Sequence, residues 1–137
     1  MIVADTGAVI ALIDSDDEHH SVLRQTYESD PDSWVLPWAI LPEVDYVVSS
    51  RLGVAAARAF RSDLASGAFT IEWSAPADLK RAHELDERYS GLELGLVDAV
   101  VMAVAERVEA RAIATLDLRD FGAVDLVGRP ALWPRDL

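Results

Sequence analysis

Short apolar runs alternate along this chain with longer segments of helical periodicity, and that alternation narrows the possible folds more than any other feature. Ile2-Val-Ala4 is apolar and stops at Asp5-Thr6-Gly7; Ala8 to Ile13 then reads as a helix with Asp5 and Thr6 at its N-terminal mouth. Trp34-Val-Leu-Pro37, the alternating Ala68-Phe-Thr-Ile-Glu-Trp73 and Ala112-Ile-Ala-Thr115 read as further strands, and the tail around Leu126 and Leu132-Trp133 is a candidate for one more. Parallel strands need long crossovers, which helices supply, so short strands separated by helices argue for an α/β sandwich around a mostly parallel sheet.

The helical segments carry their own start and stop signals. Ser15-Asp-Asp-Glu18 matches a capping box and predicts a helix to about residue 29, followed by a turn at Asp30-Pro31-Asp32. Residues 40–51 place Val44, Val47 and Val48 on one side, and the alanine-rich segment 54–66 ends at Gly67. Pro76 opens a helix to about Tyr89, residues 91–95 form a loop, and Val97, Val100, Val101, Val104 and Val108 mark a last helix. No repeat or linker interrupts this order, so residues 1–137 read as one domain.

Composition excludes several classes. The chain is 51% hydrophobic and 26% charged, which suits a packed core rather than disorder. Without cysteine it has neither a disulfide framework nor a thiolate metal site. Its apolar runs are too short to span a bilayer, and Met1-Ile-Val-Ala-Asp5 is not a signal peptide, so a cytoplasmic protein with no membrane association is expected. The charge balance, 12 basic against 24 acidic residues for a net −12, opposes contact with nucleic acid unless the acids gather around cations that invert the local field. Eleven of the basic residues are arginines, the side chain suited to bidentate phosphate contact.

Four acids sit beside apolar runs, where a carboxylate is costly without compensation: Asp5, Glu43, Asp98 and Asp117. Asp5 closes the first strand, Glu43 and Asp98 open apolar helices, and Asp117 lies two residues beyond the fourth strand. In parallel α/β folds sites form at the carboxyl ends of strands, where Asp5 and Asp117 fall. If the strands are neighbours the acids converge, and converging carboxylates bind protons or hard divalent ions such as magnesium or manganese. Two such ions about 4 Å apart can drive phosphodiester cleavage. The simpler alternative stands beside this one: acids at helix starts also cap helices, and Asp117 near Asp120 also suits a turn.

The landmarks taken in order resemble a PIN domain, and more narrowly the VapC toxins, over essentially the full chain. They are the apolar strand with Asp5-Thr6, the acidic stretch ending in His19-His20, Leu41-Pro-Glu43-Val-Asp-Tyr46, Gly95-Leu-Val-Asp98-Ala, and Ile113-Ala-Thr-Leu-Asp117-Leu-Arg-Asp-Phe121. The resemblance implies a three-layer α/β/α sandwich and a metal pocket made by Asp5, Glu43, Asp98 and Asp117, with Asp120 the alternative fourth acid. Thr6 and Thr115 match supporting hydroxyl positions. It implies a Mg²⁺- or Mn²⁺-dependent endoribonuclease cutting single-stranded RNA, a homodimer, and inhibition by a small VapB-type antitoxin.

Other features receive plainer readings. His19 and His20 belong to a solvated helix start, Asp45 points away from Glu43, and Trp34, Trp38, Trp73 and Trp133 are read as core although they can stack on bases. Arg119 is the candidate for RNA phosphate contact. Three rivals remain: a non-catalytic PIN-like scaffold, a receiver-like domain, and an aspartic-protease-like dimer using Asp5-Thr6-Gly7. The receiver-like domain would need a lysine near phosphate, and Lys80 is the only one.

Overall fold

The computed structural model describes residues 1–137. Five strands form one all-parallel sheet: β1 (Ile2–Ala4), β2 (Trp34–Pro37), β3 (Thr70–Glu72), β4 (Ala112–Ala114) and β5 (Ala131–Trp133), ordered β3-β2-β1-β4-β5. The register sets Val3 beside Val35 and Ile113, so the two central neighbours of β1 are fixed by apolar side chains buried on both faces. The tail strand therefore exists, at Leu132-Trp133, while Leu126 lies buried in the preceding loop.

Seven helices fill the crossovers: α1 (Thr6–Ile13), α2 (His20–Ser29), α3 (Leu41–Leu52), α4 (Val54–Ser66), α5 (Pro76–Arg88), α6 (Gly95–Arg107) and α7 (Leu118–Ala123). From β1 to β3 the chain moves one way across the sheet, and from β3 to β5 it returns the other way. Right-handed connections therefore carry α1–α4 over one face and α5–α7 over the other. The packing agrees: α1 touches α2 and α3, α3 touches α4, and α5 lies along α6. The result is the expected α/β/α sandwich, and its core is one cluster of 34 buried apolar residues. None of the helices is long and apolar enough to cross a membrane.

Two local readings change. The helix expected from Ser15 begins at His20, because Asp14 and Asp17 turn their carboxylates onto backbone N–H groups two residues ahead, at 3.0 and 2.8 Å. Such Asx turns compete with helix initiation. The loop after β4 contains α7, a short helix that periodicity could not reveal, capped by Asp117. By contrast α4 has its expected bounds and stops at Gly67, whose φ of +78° is the left-handed conformation that lets Ala68 N–H reach Asp63 C=O at 2.9 Å.

Ion pairs lock α5 against α6. Arg107 on α6 donates to both carboxylate oxygens of buried Asp78 on α5, at 2.8 and 3.1 Å, and to Glu72 at 2.7 Å. Arg81 on α5 grips Glu106 at 2.6 and 3.1 Å. These contacts fix the helix that carries Asp98.

Candidate metal centre

The strand order reverses direction between β1 and β4, and both strands end at acids. Asp5 is the N-cap of α1: its Oδ1 accepts the Thr6 backbone N–H at 2.7 Å, and its Oδ2 accepts the Thr115 hydroxyl at 3.0 Å. It is 5% exposed. Burial pushes its carboxyl up to about 6, against the lowering effect of those two hydrogen bonds, with the charges of Glu43 and Asp117 adding to the rise.

Asp98 stands in the first turn of α6, half-buried. Burial and the fields of Asp5, Asp117, Asp120 and Glu43 together push its carboxyl up to about 7. Asp98, Asp117 and Asp120 each bring a carboxylate oxygen within 4.8 Å of the others. Asp117 caps α7 by accepting the Asp120 backbone N–H at 3.1 Å, so capping and clustering coexist in one side chain. Asp120 Oδ1 is buried and has no hydrogen-bond partner. A buried carboxylate oxygen without a hydrogen-bond donor beside two other acids is a donor set that suits a hard cation.

The acids chosen from sequence thus divide. Asp98 and Asp117 meet, joined by Asp120. Asp5 lies within their electrostatic reach with both oxygens engaged by Thr6 and Thr115. Glu43 is exposed in the first turn of α3 and acts on Asp5 and Asp98 through its charge. Asp120 carried a local signal: it stands three residues after the cap, and N-cap and N3 side chains converge at a helix mouth. Thr115 also accepts the Asp117 N–H at 3.1 Å, whereas Thr6 supports Asp5 through its backbone and its own hydroxyl has no partner. Arg119 is exposed, its guanidinium 3.9 Å from Asp120.

The plainer readings divide as well. His20 hydrogen-bonds the Ala11 carbonyl at 2.7 Å and His19 pairs with Glu18 at 3.2 Å. Asp45 is held by Arg61 at 2.6 and 3.1 Å, and that pairing lowers its carboxyl. Trp34 is buried as expected, but Trp38 and Trp73 are exposed, a correction to their reading as core. Asp5-Thr6-Gly7 opens a helix at the end of a parallel strand, an arrangement foreign to a mostly β protease dimer.

The comparisons with known proteins agree with this fold. The PIN domain family model matches residues 2–126. Ribonuclease VapC26 of Mycobacterium tuberculosis is 31% identical over 127 residues, 93% of this chain and 94% of that protein. The crystal structure of Mycobacterium tuberculosis VapC20, a toxin that cleaves the sarcin–ricin loop, superposes with a TM-score of 0.80 at 25% identity, covering 93% of this chain and 98% of that one. VapBC2 from Rickettsia felis, solved with a DNA fragment from its promoter, shares the fold at a TM-score of 0.70 and 15% identity, covering 96% and 97% of the two chains. A parallel α/β sandwich with acids at its switch point and a ribonuclease as relative defines the class: a PIN-fold ribonuclease. The chain belongs to the PIN domain family, and within it to the VapC type.

Proposed function

We propose that this chain is a divalent-metal-dependent endoribonuclease that cuts single-stranded RNA, the toxin of a VapBC-type toxin–antitoxin pair. The observation that carries the reading is the trio Asp98, Asp117 and Asp120 beside Asp5 at the switch point of the sheet. Mg²⁺ or Mn²⁺ fits this oxygen-only donor set, in which one buried carboxylate oxygen accepts no hydrogen bond. When bound, the ion supplies charge neutralisation for the phosphate and acidifies water for in-line attack.

The protein's part is positioning. Asp98, Asp117 and Asp120 would hold the ion, and Asp5 would complete the site, oriented by Thr115. Glu43, exposed at the rim, is placed to orient water or hold a second ion. Arg119 extends from the same helix mouth as a phosphate contact. Cleavage would leave a 5′-phosphate and a 3′-hydroxyl. Acting on cellular RNA, the protein would work in the cytoplasm as a homodimer, silenced by a VapB-type antitoxin over the acidic pocket.

The test is expression of the chain alone, with and without Asp5→Asn, followed by mapping of cellular RNA ends. New Mg²⁺-dependent ends with the native chain and none with the variant are expected. Cleavage by Asp5→Asn at the native rate would remove the mechanism.

A further inference from the structure

Trp38 and Trp73 stand on the surface at the carboxyl edge of the sheet. Trp38 follows β2 and Trp73 follows β3, and these strands pair in parallel, so both indoles leave the sheet at the same end. Their rings stack, with centroids 6.0 Å apart and planes inclined by 25°. Nevertheless 46% of Trp38 and 67% of Trp73 remain exposed. Trp38 also walls an apolar groove of about 590 Å³, shared with Ser74, Leu79, Leu96 and Val97. Val97 directly precedes Asp98, so the groove and the acids meet at the first turn of α6. Ser74 Oγ is buried there without a hydrogen-bond partner, a lone donor and acceptor in an otherwise apolar wall.

We infer that this groove is a stacking subsite for an unpaired nucleobase of the RNA, an inference that rests on the nuclease reading above. Stacking on an aromatic ring accepts any base, because every base has a π face. Trp73 braces Trp38 from one side, so the ring is held ready. The hydroxyl of Ser74 matches the mixed donors and acceptors of a base edge. Charge points the same way. With a net charge of −12 and a cluster of carboxylates next door, phosphate attraction alone is a poor source of affinity, and an uncharged contact beside the acids supplies what the electrostatics withhold. A strand of RNA along the carboxyl edge would set a base on Trp38 while its phosphate meets the acids.

The test titrates a short fluorescein-labelled single-stranded RNA of mixed sequence by anisotropy in Ca²⁺, and follows cleavage of the same RNA in Mn²⁺. Trp38→Ala and Trp38→Phe are compared with the native chain, with unchanged melting as the check on folding. Trp38→Ala should weaken binding roughly tenfold to a hundredfold, raising KM with kcat unchanged, and Trp38→Phe should recover most of the loss. An RNA carrying abasic sites should no longer distinguish Trp38→Ala from the native chain. Native affinity in Trp38→Ala overturns the inference. So does a change from dimer to monomer in sedimentation with RNA affinity intact, which would make the groove a self-interface. Trp38-dependent binding without any cleavage would instead strike the nuclease reading and leave the base subsite standing.

Discussion

Thr115 Oγ1 donates a 3.0 Å hydrogen bond to Asp5 Oδ2 and accepts a 3.1 Å bond from the Asp117 N–H, joining acids that lie more than a hundred residues apart. One hydroxyl thus ties the end of β1 to the end of β4. Thr115→Val keeps the shape and removes both bonds. It should cost about 1–2 kcal/mol in urea unfolding, and lower cleavage about tenfold to a hundredfold by releasing Asp5. Thr115→Ser should retain both properties.

Asp5→Asn keeps the size of the side chain and an oxygen for the Thr6 N–H while removing a buried charge. The variant should fold, show no cleavage, and lose much of the rise in melting temperature that Mn²⁺ gives the native chain. In the metal-free state above pH 7 it should melt no lower than the native protein, because the carboxylate it lacks is disfavoured by burial. Differential scanning fluorimetry with EDTA and Mn²⁺ reads both effects.

The pH dependence has a definite sign. Asp5 and Asp98 are raised from 3.8 to about 6 and about 7, so between about pH 4 and pH 7 the folded chain holds more protons than the unfolded chain. Their contribution to stability is present in full below this window and is lost as pH rises through it. Asp136, lowered to about 2 by Arg135, has its effect below the window. In EDTA the melting temperature should fall from pH 5 to pH 8, and Mn²⁺ should restore it at the upper end. Cleavage should rise over the same interval, since carboxylates release protons to take a cation. A melting temperature in EDTA that climbs toward pH 8 would contradict this assignment.

Asp120 should prove as necessary as Asp117. Its Oδ1 is buried and accepts no hydrogen bond, while Asp117 spends one oxygen capping α7. Asp120→Asn should weaken Mn²⁺ binding at least about tenfold by calorimetry, in line with the loss of an ion-holding contact. Asp117→Asn should do so too while preserving stability within about 0.5 kcal/mol, because asparagine caps helices nearly as well as aspartate. Native Mn²⁺ affinity in Asp120→Asn would return the fourth position to Asp117 alone.

Arg107→Ala tests the support behind Asp98. It leaves Asp78, whose side chain is 2% exposed, as a buried carboxylate without its guanidinium. Destabilisation of about 3–5 kcal/mol is expected by chemical unfolding. Adding Asp78→Ala should recover part of it, because the stranded charge goes with it. Equal destabilisation in the single and double variants would place the cost in packing instead.

Much of this protein was legible along the chain. Strand composition and helical spacing act over short windows, so all five strands and all the longer helices could be read, and α4 to the residue. The misread stretches lay where several local solutions compete: Asp14 and Asp17 form turns that delay α2, and α7 is too short to declare a period. The acids beside apolar runs stood out because an isolated carboxylate is costly there, and that signal holds for Asp5 and Asp98 without knowledge of their neighbours.

What local pattern does not encode is which elements lie side by side. The order β3-β2-β1-β4-β5 is a property of the whole sheet, and it brings the starts of α6 and α7 together so that Asp98, Asp117 and Asp120 place carboxylate oxygens within 4.8 Å of one another. Exposure obeys the same logic. Trp34 and Trp38 are four residues apart and equally apolar, yet one is enclosed by the core and the other faces solvent, because burial belongs to what packs against a side chain. Sequence determined the elements and the chemistry they carry; the tertiary structure decided which of those groups meet.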